Sequence, residues 1–432
     1  MTFRKKFKIK TIVGLFLLVL ISLTMTGCWN RREMNDITLS TAIGIDRVVV
    51  DGRPIFLFSV LAARPAVPSG GATAGGGGGT TGPRVAGVGT VISTEGETVY
   101  DAIRNYSMRT SRQLFLSHSL VIVFGEEMAK EGIGEVLDFC NRQKDIRERT
   151  WVVVCEGLAR DALQSQPEME SITSVELNKM IPLNQSRASK VAIANLFQVT
   201  RDLLTPGKEA AVSNIKLFVP PETSSPIRPT GTAQTPGSPS GKGGGAEIQA
   251  QNKTFALSGA AVFRGDRMVG RMDEEETQGM LFIKNQADGG IIPIAFSAPE
   301  KNASFLYRDV KAKVKPVINE DGSIMFEIRI NGKVELQEQK NAAIDIAEED
   351  IKHAEELINQ EVERRCIKAV ARSKELKSDV FGFGEKIYRS KPKAWEEIQS
   401  QWGEIFPIVI VSVTADFKIE HLGLINKPIV IQ

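Results

Sequence analysis

The sequence predicts an α+β fold in more than one domain. A mixed α/β N-terminal region precedes a C-terminal antiparallel sheet packed by a long amphipathic helix. Three observations carry this. Strand-like and helix-like patterns alternate between about residues 88 and 204. Apolar residues then recur strictly every second position at Val310, Ala312 and Val314 and again from Ile324 to Ile330. Finally, Ile351, Ala354, Ile358, Val362, Cys366 and Ala369/Val370 form one apolar stripe in a charged stretch from about Ile346 to Leu376.

The chain opens with a segment to be removed. Arg4, Lys5, Lys6, Lys8 and Lys10 precede an apolar run from Ile12 to Leu23, and Met25-Thr26-Gly27-Cys28 follows. A basic head, a short apolar core and small residues before a cleavage point describe an export signal over residues 1–27. The apolar run is too short for a spanning helix, which needs roughly 20 residues. A cysteine at the cleavage point reads as a lipobox, in which the Cys28 thiol takes a diacylglyceryl group and N-acylation can follow. Two acyl chains hold a soluble body on a bilayer where one is marginal. An ordinary secretory signal with an incidental cysteine is the plainer alternative. Trp29 to about Asn35 then forms a tether, whose Arg31 and Arg32 could meet anionic head groups or a partner; a merely solvated tether explains them equally well.

Residues 28–219 read as the N-terminal α/β domain, with a Gly-rich loop at 65–84 between strand-like runs at Ile55–Leu61 and Val85–Ile92. The order is a strand at Val88–Ser93, a helix at Gly96–Arg109 and a doubly buried strand at Leu120–Phe124. A helix interrupted by Gly132 and Gly134 follows, then a strand at Thr150–Cys155 and helices at Ala159–Gln164, Ser174–Met180 and Lys190–Leu204. Residues 220–247, rich in Pro, Gly and Ser, cannot bury enough apolar surface to offset ordering entropy and read as an interdomain linker. A small β-rich middle domain is expected at 248–300. It comprises a hairpin about Gly265-Asp266, a helix at Asp273–Gly279 and strands at Leu281–Lys284 and Ile291–Phe296. Residues 301–432 form the C-terminal α+β domain, with a wet lysine face (Lys311, Lys313, Lys315), a turn at Asp321-Gly322, the long helix and a final strand at Ile408–Ile419.

Composition narrows the function. The 54 Lys+Arg and 52 Asp+Glu become 49 against 52, a net −3, once the five basic residues of the signal are removed. That balance argues against nucleic-acid binding. Beyond Cys28 only Cys140, Cys155 and Cys366 remain, without a C-x-x-C, so no disulfide framework is expected. They read as buried small hydrophobes, and one Cys140–Cys155 bridge is left open. The three histidines, His118, His353 and His421, lack metal-ligand spacing. His118 has no nucleophile elbow to serve and reads as structural. Gly207-Lys208 and Gly241-Lys242 lack the pattern of a phosphate cradle. Carboxylates at Asp273–Glu276 and Glu348–Asp350 suit helix N-termini. No catalytic constellation, metal site or cofactor is expected.

Several strings resemble those of a known family. Gly27-Cys28-Trp29-Asn30-Arg31-Arg32-Glu33-Met34-Asn35-Asp36 is similar to the opening of Ger(x)C spore-germination lipoproteins. Gly44-Ile45-Asp46, Leu114-Phe115-Leu116-Ser117-His118, Phe124-Gly125-Glu126-Glu127 and Asp379-Val380-Phe381-Gly382-Phe383-Gly384-Glu385, with Tyr388, Trp395 and Trp402, follow in the family's order. The resemblance implies a three-domain α+β lipoprotein, the C subunit of a nutrient germinant receptor, on the outer face of the spore inner membrane. It implies two integral partners, a polytopic A subunit and a transporter-like B subunit. The competing reading is a free-standing exported lipoprotein that binds a cell-wall fragment or small solute; an exported hydrolase acting through His118 or Asp273 ranks behind both.

Overall fold

The computed structural model describes residues 14–16, 36–63, 89–220, 253–296, 302–340 and 348–421. The first sheet is built from β1 (Ile37–Val50), β2 (Arg53–Ala62), β3 (Thr90–Gly96), β4 (Gln113–Phe115), β5 (Val121–Phe124), β6 (Trp151–Cys155), β7 (Ala211–Phe218), β8 (Thr254–Arg264) and β9 (Arg267–Met272). Its order is β3-β2-β1-β5-β6-β7-β8-β9, with β4 also beside β1. The centre, β1-β5-β6-β7, is parallel and both flanks are antiparallel. Asp51 and Gly52 both take positive φ (51° and 75°), the backbone that a two-residue hairpin between right-twisted strands requires.

Helices α1 (Val99–Asn105), α2 (Glu126–Glu131), α3 (Gly134–Arg142), α4 (Ala159–Gln164), α5 (Thr173–Arg187) and α6 (Leu196–Leu204) accompany these strands. Every residue of β5 is buried, as its unbroken apolar run predicts. Alternate residues feed two cores. Ile122 and Phe124 lie in one with Cys140, whereas Val121 and Val123 lie in the other with Cys155. The two cysteines are therefore on opposite faces of the sheet, and both are free. The bridge left open by the sequence is not formed.

The second sheet has the order β10 (Gly290–Ala295), β11 (Asn302–Ile318), β12 (Ile324–Gln339) and β13 (Ile410–His421). Against it lie α7 (Glu274–Ile283) and α8 (Glu348–Glu375). Between α8 and β13 run α9 (Phe383–Ser390), α10 (Pro392–Ile398) and α11 (Trp402–Ile405). Of the expected stripe on α8, Ala354 to Val370 are buried and Ile351 is half-buried. Opposite it, Phe326, Ile328, Ile330 and Phe417 are at most 1% exposed.

Four expectations need correction. The sheet is not wholly antiparallel: β13 joins β12 in parallel, because α8 carries the chain back across the sheet as a crossover. Leu281–Lys284 is no strand. A capping box between Asp273 and Glu276 starts α7, and its all-buried end, Met280–Ile283, has the apolar run of a strand. The helix expected from Lys190 starts only at Leu196, where Asn195 and Gln198 form a second capping box. Lastly, 220–247 does not separate two sheets. β7 and β8 on either side of it pair antiparallel, Phe218 opposite Thr254 and Ala211 opposite Val262. Of the expected middle domain, β8 and β9 complete the first sheet and β10 belongs to the second. Among the described residues no helix is long and apolar enough to cross a membrane.

Candidate functional site

Cys28, Arg31 and Arg32 lie outside the described residues. The rest of that opening string, apart from Asp36, lies outside them too; the Gly44–Asp46, Phe124–Glu127 and Asp379–Glu385 strings are described and gather at two buried aspartates.

The first is Asp46 on β1, 1% exposed. Its Oδ1 accepts the Ala159 N–H (2.6 Å) and its Oδ2 the Arg160 N–H (3.1 Å), so it caps the first turn of α4 from a distant strand. The Gly125 N–H donates to the Ile45 carbonyl (2.9 Å), and a Cβ at Gly125 would lie 1.9 Å from Asp46 Oδ1. Only glycine fits there. Next to it Glu126 pairs with Arg271 at 3.2 Å, and that guanidinium holds the carboxyl down at about 2. The Gly-Ile-Asp and Gly-Glu-Glu strings thus meet in one junction between β1, β5, α4 and β9. Burial pushes Asp46 up to about 6 against its two backbone donors.

The second is Asp379, 3% exposed, in the turn after α8. Its Oδ1 accepts from the Phe383 N–H (2.9 Å), and its Oδ2 from the Gly384 N–H (2.8 Å) and the Trp402 indole (3.1 Å). Burial outweighs these donors and raises its carboxyl to about 6. Phe383 stacks between Phe381 (5.0 Å) and Phe326 (4.3 Å) beneath the second sheet. Gly382 takes φ +70°, the left-handed turn that starts α9.

This knot also grips the first sheet's unit. The Glu385 N–H donates to the Gly207 carbonyl (3.1 Å), the Glu209 N–H to the Asp379 carbonyl (3.0 Å), and the Ser378 hydroxyl to the Phe263 carbonyl. Lys208 reaches both Asp202 (2.9 Å) and Glu385 (3.5 Å). Gly384 and Gly207 touch backbone to backbone: a Cβ on Gly384 would stand 2.6 Å from Gly207 Cα. A cleft of about 370 Å³ opens beside the contact, walled by Leu204, Lys208, Arg264 and Trp395. Glu209 lies at this junction, and burial raises its carboxyl to about 7. Sequence reading placed the Phe-Gly-Phe-Gly turn but missed Asp379 as its hub and Gly207-Lys208 as its counterpart. An aspartate just ahead of paired glycines was the available signal.

The other candidates are accounted for locally. Asp273 and Glu276 cap α7, and Asp273 also pairs with Lys368 at 2.6 Å. Arg264-Gly265-Asp266 forms the β8–β9 turn, with Gly265 at φ +59°. His118 sits 5.8 Å from the Phe115 ring. Among the described residues no three His, Cys, Asp or Glu side chains are grouped to hold a metal.

Two mixed sheets knotted together by a buried aspartate define an α+β protein whose distinctive residues join parts of the chain. Residues 30–217 match the family model described as spore germination protein N-terminal domain, and residues 258–423 match spore germination B3/GerAC like, C-terminal. The chain belongs to the Ger(x)C family of spore germination proteins. Spore germination protein KC of Bacillus subtilis (strain 168) is 25% identical, with 96% of each chain covered. Spore germination protein B3 of the same organism is 22% identical over 97% of this chain and 100% of its own. The fold is similar to the crystal structure of the GerBC protein, with a TM-score of 0.51 and 16% identity over 89% of this chain and 99% of that one.

Proposed function

We propose that this protein is the lipid-anchored, non-catalytic C subunit of a spore germinant receptor, held on the extracytoplasmic face of the spore inner membrane through Cys28. The observation that carries the reading is the match, over nearly the whole chain, to spore germination proteins. The local setting agrees: the Asp46 strings join elements within the first sheet's unit, the Asp379 string joins the two sheets, and both aspartates are buried acceptors of N–H groups with no nucleophile among their partners. The protein acts by docking. Anchoring confines it to the membrane surface and raises its effective concentration for the integral A and B subunits. Arg31 and Arg32 add attraction to anionic head groups, about 1 kcal/mol each near the surface.

The test is Cys28→Ala. The variant is expected to leave the membrane fraction, to lack the acyl mass in intact-mass spectra, and to leave spores slow to germinate on nutrients while lysozyme still triggers them. A soluble variant that supports normal nutrient germination would refute the reading.

A further inference from the structure

A second cleft, remote in sequence from the Asp379 knot, has a lining with one chemical sense. It opens at the N-terminal ends of β5 and β6, holds about 370 Å³ and is lined in part by Arg147, Arg149, Trp151, Asn178 and Asn195. A smaller cavity of about 100 Å³, to which Gln198 contributes, shares Trp151 and Asn195 with it. The larger cleft alone suits a small solute, for which sites begin near 300 Å³.

The carboxamides are oriented by donors that cannot accept. The Trp151 indole N–H donates to Asn178 Oδ1 (3.1 Å), the Gln198 N–H to Asn195 Oδ1 (2.9 Å), and the Asn195 N–H to Gln198 Oε1 (2.9 Å). An indole or backbone N–H fixes which amide atom is oxygen. Each of these three side chains therefore has an oxygen already engaged and an NH2 with no partner among the described residues. Arg147 and Arg149 form no ion pair with a described residue, and no Asp or Glu lines either cavity. At the rim the Ser117 hydroxyl donates to Asp145 Oδ1 at 3.5 Å.

We propose that this cleft binds a small organic carboxylate whose body carries hydroxyl or amide acceptors. The guanidinium groups take the carboxylate, for which their planar donor forks are suited. The amide NH2 groups take the body, and the half-buried Trp151 ring provides a flat wall. An α-amino acid fits poorly, because its ammonium would meet no carboxylate in the lining. The site stands independently of Cys28 and of membrane anchoring.

Sodium gluconate is the probe, titrated into the full-length protein in detergent micelles and followed by calorimetry and tryptophan emission. Saturable binding is expected. It should weaken about tenfold or more in Arg147→Gln/Arg149→Gln and weaken with added salt in the unmodified protein. Glucose, which keeps the hydroxyls and lacks the charge, and L-alanine should bind far less. A gluconate Kd above about 20 mM (weaker than ~2.3 kcal/mol) would overturn the proposal. So would equal binding of glucose, salt-independent binding, or inorganic phosphate matching gluconate. Both arginines are exposed, and the salt dependence tests the same point should the double variant misfold.

Discussion

Gly384→Ala tests whether the Phe-Gly-Phe-Gly turn exists to bring two backbones together. The new methyl would stand 2.6 Å from Gly207 Cα, 2.8 Å from Trp402 Nε1 and 2.9 Å from the Gly207 carbonyl oxygen. Two of these three neighbours are backbone, so relief requires the 207–209 segment to move from α9. Overpacking of this kind costs about 1–3 kcal/mol. Separation also forfeits the Glu385–Gly207 hydrogen bond, about 1 kcal/mol, while alanine returns about 1 kcal/mol of helix propensity within α9. The net expectation is about 2 kcal/mol of destabilisation, or roughly 4–8 °C in Tm for a unit of 150–250 residues.

Gly403→Ala supplies the control, since a methyl there meets nothing within 4 Å. It lies on α11, in the same layer, and should be neutral or slightly stabilising. Thermal unfolding of the two variants side by side measures the difference, and hydrogen exchange locates it. Faster exchange at the Glu385 and Glu209 amides is expected in Gly384→Ala alone. Equal melting of the two variants would refute the idea that the motif's second glycine is there for close approach.

Other expectations follow from the buried carboxylates and from the edge of the second sheet. Asp46 and Asp379 are raised to about 6 from an ordinary 3.8, so the folded state binds their protons more tightly than the unfolded chain does. The stabilisation they give is complete below about pH 4 and lost as pH rises through about 6, on the order of 3 kcal/mol each. Urea midpoints should therefore fall between pH 5 and pH 8, and Asp379→Asn should flatten that slope; an unchanged slope would contradict the assignment. At the sheet edge, α8 side chains occupy outward N–H groups of β13: Glu363 takes Ala415 (2.9 Å), Asn359 takes Phe417 (2.7 Å) and Glu355 takes Ile419 (2.9 Å). Replacing all three by alanine leaves an open strand edge, so concentration-dependent self-association is expected in sedimentation. A variant that stays monomeric at high concentration would show that the ladder does not guard the edge.

Most of the elements were legible because local rules decide them. The period-two run Ile324–Ile330 and the stripe Ala354–Val370 each state a buried face. Asp273 marks its helix start in the sequence, whereas Asn195 is hidden within a stretch whose pattern reads as helical from Lys190. What stayed hidden is non-local. Nothing near Gly207 announces that it will meet Gly384, and Asp46 gives no sign of capping a helix whose first turn is Ala159 and Arg160. The donor-rich cleft likewise assembles Arg147, Asn178 and Asn195 from a turn, a helix and a cap.

The connection at 220–247 falls between the stretches matched by the two family models, yet it joins strands of one sheet, for a physical reason that applies equally to 65–84. Low-complexity composition reports that a segment buries little; it carries no information about which strands the segment connects. Both stretches join antiparallel neighbours, β2 to β3 and β7 to β8. The entropic cost of closing a chain connection grows only logarithmically, about 0.6 kcal/mol per doubling of length. Extending a four-residue turn to the roughly 32 residues of 221–252 would then cost about 2 kcal/mol. On the other side of the balance, β8 places Ala260, Ala261, Val262 and Phe263 wholly out of solvent. Full burial of the valine and phenylalanine alone contributes about 1.5–3 kcal/mol each. Moreover, alternate β8 residues serve different cores, Ala261 and Phe263 that of the first sheet and Ala260 and Val262 that of the second. Strand pairing therefore overrides the break in composition, and β8 becomes the strand that contributes to the cores of both sheets.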